Sequence, residues 1–469
     1  MESLKEKNKK NARRFGMSKK RMVGLALGTV GLMGLVYSYV QAGSFTITPK
    51  KVAKELVDAA AVNATISFDS TKTYTPNISG FGIINGPIIV VSVDNGKIYV
   101  GEGEAAICDS GNNPIAQYYT GNGTNQLVFL SNSTQTISNG ASYWIGNSTC
   151  NGTTDLTFEI PKGASSVTLT IKTGKGDEVR DTASATIINV VPQFSASVGQ
   201  KLSKQIDYNY DFKKFFDNTT SDNGTIKLSS SFSSSDIRVQ DKATSNSTNF
   251  IVTLKPTDMA GIANATIDNG TSNATCVKGA DKFTCNAIYD IGSLTTESTS
   301  FTIYVDVTGT DVLSERKFTV DALLDFTATN AADQTLLTNE PFGEWTYRGT
   351  TIYVPLIGVN PTTGRETYIK LQSKDRNPNA NKVKAIILVD DGSTVTVDLG
   401  QIKAGEPFLI KGSDLAREVQ NRGKKVGDSF AAILVVTTDE ANLFGYANII
   451  DPSGAKRVPL KVRNGQIIE

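Results

Sequence analysis

The sequence predicts a mainly β protein: tandem Ig-like β-sandwich domains after an N-terminal signal peptide, with one short helix in the C-terminal domain. Three observations predict this. Ser, Thr and β-branched residues are abundant, and such residues favour pleated, half-buried strands over helices. Short apolar alternations recur every ~8–12 residues between Gly, Asn, Asp and Pro turns, which is the pattern of sandwiches. A length of 469 residues leaves room for about three units of roughly 100–200 residues each.

The leader comes first. Residues 17–42 read MSKKRMVGLALGTVGLMGLVYSYVQA, a basic start, an apolar run from Met22 to Val40, and small or compact residues at Val40-Gln41-Ala42. These are the three regions of a secretory signal peptide, so export with cleavage before Gly43 is expected and residues 1–42 are set aside as signal. The alternative is a retained membrane anchor, because the run approaches the length of a bilayer span. Gly24, Gly28, Gly31 and Gly34 within it favour cleavage.

Residues 43–191 form the first expected sandwich. Thr48 and Pro49 resemble a helix cap and first turn, predicting a helix over 49–61. The run IINGPIIVVSVDNGKIYV (83–100) predicts a strand pair around Asp94-Asn95-Gly96. Val167, Leu169 and Ile171 alternate, and a boundary is expected at Val191-Pro192. The second sandwich, 192–330, carries FIVTLKP (250–256), FTIYVDV (301–307) and KFTVDALLDF (317–326). The third, 331–469, has TYIKLQS (367–373), a hairpin KAIILVDDGSTVTVDL (384–399) and FAAILVV (430–436). Its helix is expected after an N-cap at Ser413, with Leu415 and Val419 on the buried face and Gly423 as the stop.

Four cysteines, Cys108, Cys150, Cys276 and Cys285, in an exported chain imply two disulfides with three connectivities. One pair per domain, Cys108–Cys150 and Cys276–Cys285, is the economical choice. Twelve N-x-[S/T] sequons, at Asn63, Asn77, Asn122, Asn132, Asn147, Asn151, Asn218, Asn223, Asn246, Asn264, Asn269 and Asn273, are candidate glycosylation sites. Chance in an Asn-, Ser- and Thr-rich chain also produces sequons. None follows Asn273, which sets residues 330–469 apart as a region facing a neighbour or the cell.

Composition excludes several functions. There is no histidine, so Ser-His-Asp triads, Cys-His pairs and His-containing zinc sites are ruled out. Residues 1–22 hold nine Lys and Arg against two Glu; without that +7 the chain's net +1 becomes −6. A mildly acidic body without a basic stripe argues against a nucleic-acid partner. Asp375, Asn377, Asn379 and Asn381 alternate like the opening of a calcium loop, but Ala380 and Ile386 stand where that loop requires Gly and Glu. A polar loop between strands is the expected reading, calcium the lesser one, and no other cofactor is expected. Two carboxylates would suffice for a glycosidase, yet no pair stands out, and no enzyme is expected. Trp144 and Trp345 could stack on sugars, although a lone Trp in a sandwich is more often core.

The leader, the Ser/Thr/Asn-rich β body and the scarcity of His, Cys and Met resemble bacterial and archaeal surface-layer (S-layer) proteins. The segment TYIKLQSKDRNPNANKVKAIILVDDGSTVTVDLGQIKAGEP, ending in Gly400-Gln401-Ile402-Lys403-Ala404-Gly405, is similar to Ig-like adhesion modules. This resemblance implies an extracellular, cell-surface subunit that partners itself in a protective lattice and is anchored by a cell-envelope component. Two other readings stay open. One is a filament or fimbria-like subunit whose segment 43–48 adds a strand to a neighbour's sheet; the other is a carbohydrate-binding adhesin using Trp144 or Trp345.

Overall fold

A computed structural model describes residues 41–101, 105–243, 245–293, 298–327, 330–377, 380–438, 442–451, 453–460 and 462–463. The protein is mainly β, with 58% of the described residues in strands and 6% in helices, and its strands fall into three successive groups of sheets.

The first group is an 11-stranded sheet, a three-stranded one, Val62–Phe68, Thr154–Ile160 and Lys97–Val100, and a short two-stranded one, Ile83–Asn85 with Thr136–Ser138. The large sheet begins on Gln41–Ala42, which lies parallel to Glu178–Val191, and ends on Ser44–Phe45, which lies antiparallel to Thr73–Thr75. Five consecutive residues thus touch both ends of one sheet, with Gly43 at the junction. The core lies between the sheets, where Phe68, Phe129 and Phe158 are fully buried.

Two expectations change here. Ile88–Val93 pairs with Ser166–Lys175 and Gln126–Leu130 in the large sheet, whereas Lys97–Val100 pairs with Thr154–Ile160 in the small one. Asp94-Asn95-Gly96 is therefore an arch between layers and not a hairpin. It is tied down by Asp94, whose carboxylate accepts from Thr168 N–H at 2.7 Å. The expected helix 49–61 shortens to Lys54–Ala59, because Lys50–Ala53 pairs in parallel with Ile188–Val191. Burying Val52 and Ala53 in that ladder outweighs the capping signal at Thr48 and Pro49.

The second group is a sandwich of a five-stranded sheet, from Phe194–Val198 to Asn273–Thr275, on a six-stranded one. Phe250 and Phe301 meet across it at 4.3 Å, and Trp345 is wedged between Phe215 and Phe318 at 4.8 Å from each. The strand Gln334–Tyr347 pairs with Arg316–Phe326 in this group. Sheet membership thus changes at Arg348-Gly349, beyond the residue-330 boundary expected from sequence, because Phe342, Trp345 and Tyr347 face the second core.

The third group is one nine-stranded sheet folded on itself, the strand Thr350–Asn360 running from one half to the other. Lys382–Leu388 and Thr394–Gln401 form the expected hairpin around Asp390-Asp391-Gly392. The helix Gly412–Asn421 buries Leu415 and Val419 as expected, but Ser413 does not cap it. Glu366 instead accepts the Ser413 backbone N–H at 3.0 Å, a carboxylate placed where the helix dipole favours it.

Candidate functional site

Cys108–Cys150 and Cys276–Cys285 are bonded. The first pair forms a buried cluster with Ala106 and Trp144, whose indole donates to the Asp109 carbonyl at 3.2 Å. Trp345, 0% exposed, donates to Asp222 at 2.8 Å. Both tryptophans are structural, which removes the sugar-stacking platform that the adhesin reading needs.

Asp375, Asn377 and Asn381 come together in one loop, while Asn379 lies outside the described residues. Asp375 accepts from Thr438 Oγ1 at 2.8 Å and from Asn377 N–H at 2.9 Å. Asn381 is buried with φ +66°, donates to the Asp375 carbonyl at 2.6 Å and accepts from Ser373 Oγ at 2.6 Å. The side-chain oxygens of Asp375 and Asn381 are thus engaged in holding the loop's shape. Nearby, a cleft of about 440 Å³ lies between the second and third groups, lined by Asp207, Arg348, Asn377 and Lys382 among others. Asp207, the carboxylate among its described lining residues, is tied to Asn209 N–H at 3.1 Å and lies 3.7 Å from Arg348.

The sequon asparagines are all accessible: Asn147, Asn223 and Asn269 are half-buried and the other nine exposed. The leader residues 1–40 lie outside the described residues. The segment proposed for strand exchange begins in the chain's own sheet, since Ser44 and Phe45 pair with Thr75 and Tyr74.

The outer face of the C-terminal sheet is different in kind. Arg365–Ser373 lies between Pro407–Lys411 and Leu443–Asp451, and Gly454–Pro459 completes the face. Ile369 and Leu371 point inward, so Tyr368, Lys370 and Gln372 point out. Register sets Lys370 beside Leu409 and Tyr446, and Gln372 beside Pro407 and Phe444. Leu409 and Phe444 are 52% and 49% exposed. Lys374 stands 4.7 Å over the Phe444 ring and Arg457 4.4 Å over Tyr446. The ion pairs among this group's described residues involve Lys384, Lys403, Arg417 and Lys424, leaving Lys370, Lys374, Lys411 and Arg457 without a carboxylate. Sequence reading missed this face because its residues are spread over four strands. The signal was regional charge: residues 43–349 hold 22 Lys and Arg against 31 Asp and Glu, residues 350–469 hold 16 against 13.

Two seams join the groups. Glu55, buried, accepts Gln193 N–H at 3.0 Å, and its backbone carbonyl accepts Ala332 N–H at 2.8 Å. Burial pushes its carboxyl above the ordinary range, against the backbone hydrogen bonds that pull it down. Lys384 donates to the Tyr208 carbonyl at 2.9 Å, pairs with Asp211 at 2.6 Å and sits 4.2 Å over the Tyr208 ring.

Among solved structures, the major pilin subunit BcpA of Bacillus cereus is similar at 11% identity and TM-score 0.23, over 79% of this chain and 89% of that one. The C-terminal domain of the AgI/II polypeptide BspA of Streptococcus agalactiae is similar at 10% and 0.24, over 63% and 97%. At such scores neither bears on the reading. No curated protein matches the sequence. The profile of the S-layer protein Slr4 family, in contrast, matches residues 90–455, running from the large first sheet into the basic, aromatic C-terminal face. A strand-built chain matched over that extent belongs to the S-layer protein Slr4 family.

Proposed function

We propose that the protein is an exported, non-catalytic subunit of a self-assembling extracellular lattice. In this reading the first two groups of sheets carry glycans and the third makes the lattice contact, while a cell-envelope component anchors the array. The observation that carries it, beyond family membership, is the sequon-free outer face of the C-terminal sheet. Exposed Leu409 and Phe444 and half-buried Tyr446 stand there among four cations that have no carboxylate partner among the described residues. A second copy of the chain offers the complement, because its residues 43–349 are net acidic. Contact between two unlike patches propagates as an open array instead of closing.

Charge reversal tests this. Lys370→Glu with Lys411→Glu is expected to abolish pelleting of assembled material while leaving the melting temperature unchanged within about 2 °C, since exposed charges contribute little to folding. Assembly indistinguishable from wild type would remove this face from the lattice. The strand-addition filament is less favoured, because Phe45 is buried in its own chain. No cofactor enters the reading, and calcium is an added variable in the assembly assay.

A further inference from the structure

The junction of the large first sheet holds a carboxylate without a countercharge. Asp181 is fully buried. Among the described residues its oxygens accept from the Tyr74 hydroxyl and, at 3.3 Å, from Asn77 N–H, both neutral donors, and it forms no ion pair. Arg180 points to the opposite side of the strand and pairs with Glu178 at 2.9 Å. The titratable side chain facing Asp181 is Tyr74, which also meets Thr173 Oγ1 at 2.8 Å and has Tyr143 nearby. A buried charge is expensive unless paired.

Gly43 lies directly against this carboxylate. A Cβ there would come within 2.6 Å of Asp181 Oδ2 and 2.7 Å of the Thr75 carbonyl oxygen, so the close approach requires glycine. The Gly43 N–H donates to the Thr182 carbonyl at 3.2 Å. Pairing of Ser44 and Phe45 with Thr75 and Tyr74 fixes the residue from its C-terminal side, whatever precedes it. On its N-terminal side Gln41 and Ala42 join the ladder, opposite Asp181 and Thr182.

We propose that cleavage of the Ala42–Gly43 bond by a signal peptidase supplies the missing countercharge: the new α-ammonium of Gly43 pairs with buried Asp181 and locks the two ends of the sheet together. This rests on the export reading above. Hydrolysis consumes one water. The C–N bond breaks, the water oxygen stays on Ala42 as carboxylate, and the nitrogen leaves with the protons as the ammonium of Gly43. Freed from the peptide plane, that nitrogen turns about the Gly43 Cα–C bond. Its three N–H donors can keep the Thr182 carbonyl while reaching Asp181. Export processing would then be coupled to final closure of the first sheet.

The test compares three full-length chains: one beginning at a free Gly43, the same chain acetylated at Gly43, and one beginning at Gln41. The free Gly43 chain is expected to melt at least about 2 °C above the others at pH 7. An α-amino group ordinarily titrates at ~7.7–8.0 and higher beside a carboxylate. The stabilisation is therefore complete below that range and is lost as pH rises through the raised value. Asp181→Asn is expected to remove the difference between chains. Equal melting temperatures for all three native-sequence chains, which need no core substitution, would overturn the pairing. N-terminal sequencing of surface-extracted protein addresses the export reading separately: a start at Gly43 supports it, and any other start overturns processing at this bond whichever way the melting comparison falls.

Discussion

Glu55 shows how one side chain sets a pH response. Its folded-state carboxyl lies above the ordinary value because burial disfavours the charge. The folded chain therefore binds that proton more tightly than the unfolded chain, so this residue's contribution to stability falls as pH rises from 4.5 through the raised value. Glu55→Gln keeps an acceptor for Gln193 N–H. It is expected to melt above wild type at pH 7, with the difference shrinking below pH 4.5, as calorimetry across pH would show. Gly96 carries a steric demand: with φ +93°, a Cβ there would overlap the Glu159 carbonyl oxygen. Gly96→Ala is expected to cost on the order of 2–4 kcal/mol in denaturant unfolding. The four cysteines and the buried Leu415 and Val419 were legible as residues, since oxidation context and helical spacing are local signals. The Ser413 cap was not, because Glu366 arrives from a strand 47 residues away.

At the scale of elements, the chain separates local from long-range information. The turn at Asp390-Asp391-Gly392 joins strands that pair with each other, and sequence suffices. Asp94-Asn95-Gly96 has as strong a turn signature, yet its flanking strands find partners 34 to 86 residues distant, which no local pattern encodes. The strand 334–347 likewise joins the second group although it lies beyond the boundary expected at residue 330, because its apolar residues announce burial without saying in which core. The disulfides differ in the loops they close. Cys108–Cys150 spans 42 residues and Cys276–Cys285 only 9. On the chain-entropy account their removal costs about 4 and about 2.6 kcal/mol respectively. Cys108→Ala/Cys150→Ala is thus expected to lower the unfolding midpoint more than Cys276→Ala/Cys285→Ala; the reverse order would show that native packing, and not loop closure, governs.

At the scale of the molecule, an acidic body and a basic C-terminal region coexist in one chain, and all the sequons lie in the former. Sequence exposed the sequon asymmetry but not the face. Assembling the face took the register of four strands, which brings Lys370, Leu409, Phe444, Tyr446 and Arg457 onto one surface. Interactions between exposed charges weaken within a Debye length of about 8 Å at 0.15 M salt, so assembly is expected to weaken as salt rises from 0.05 to about 0.5 M. The most direct measurement is negative-stain electron microscopy of the purified chain from Gly43 onward, with and without calcium. The lattice account predicts flat, ordered two-dimensional sheets from wild-type protein, whereas persistent monomers or fibres in both conditions would contradict it.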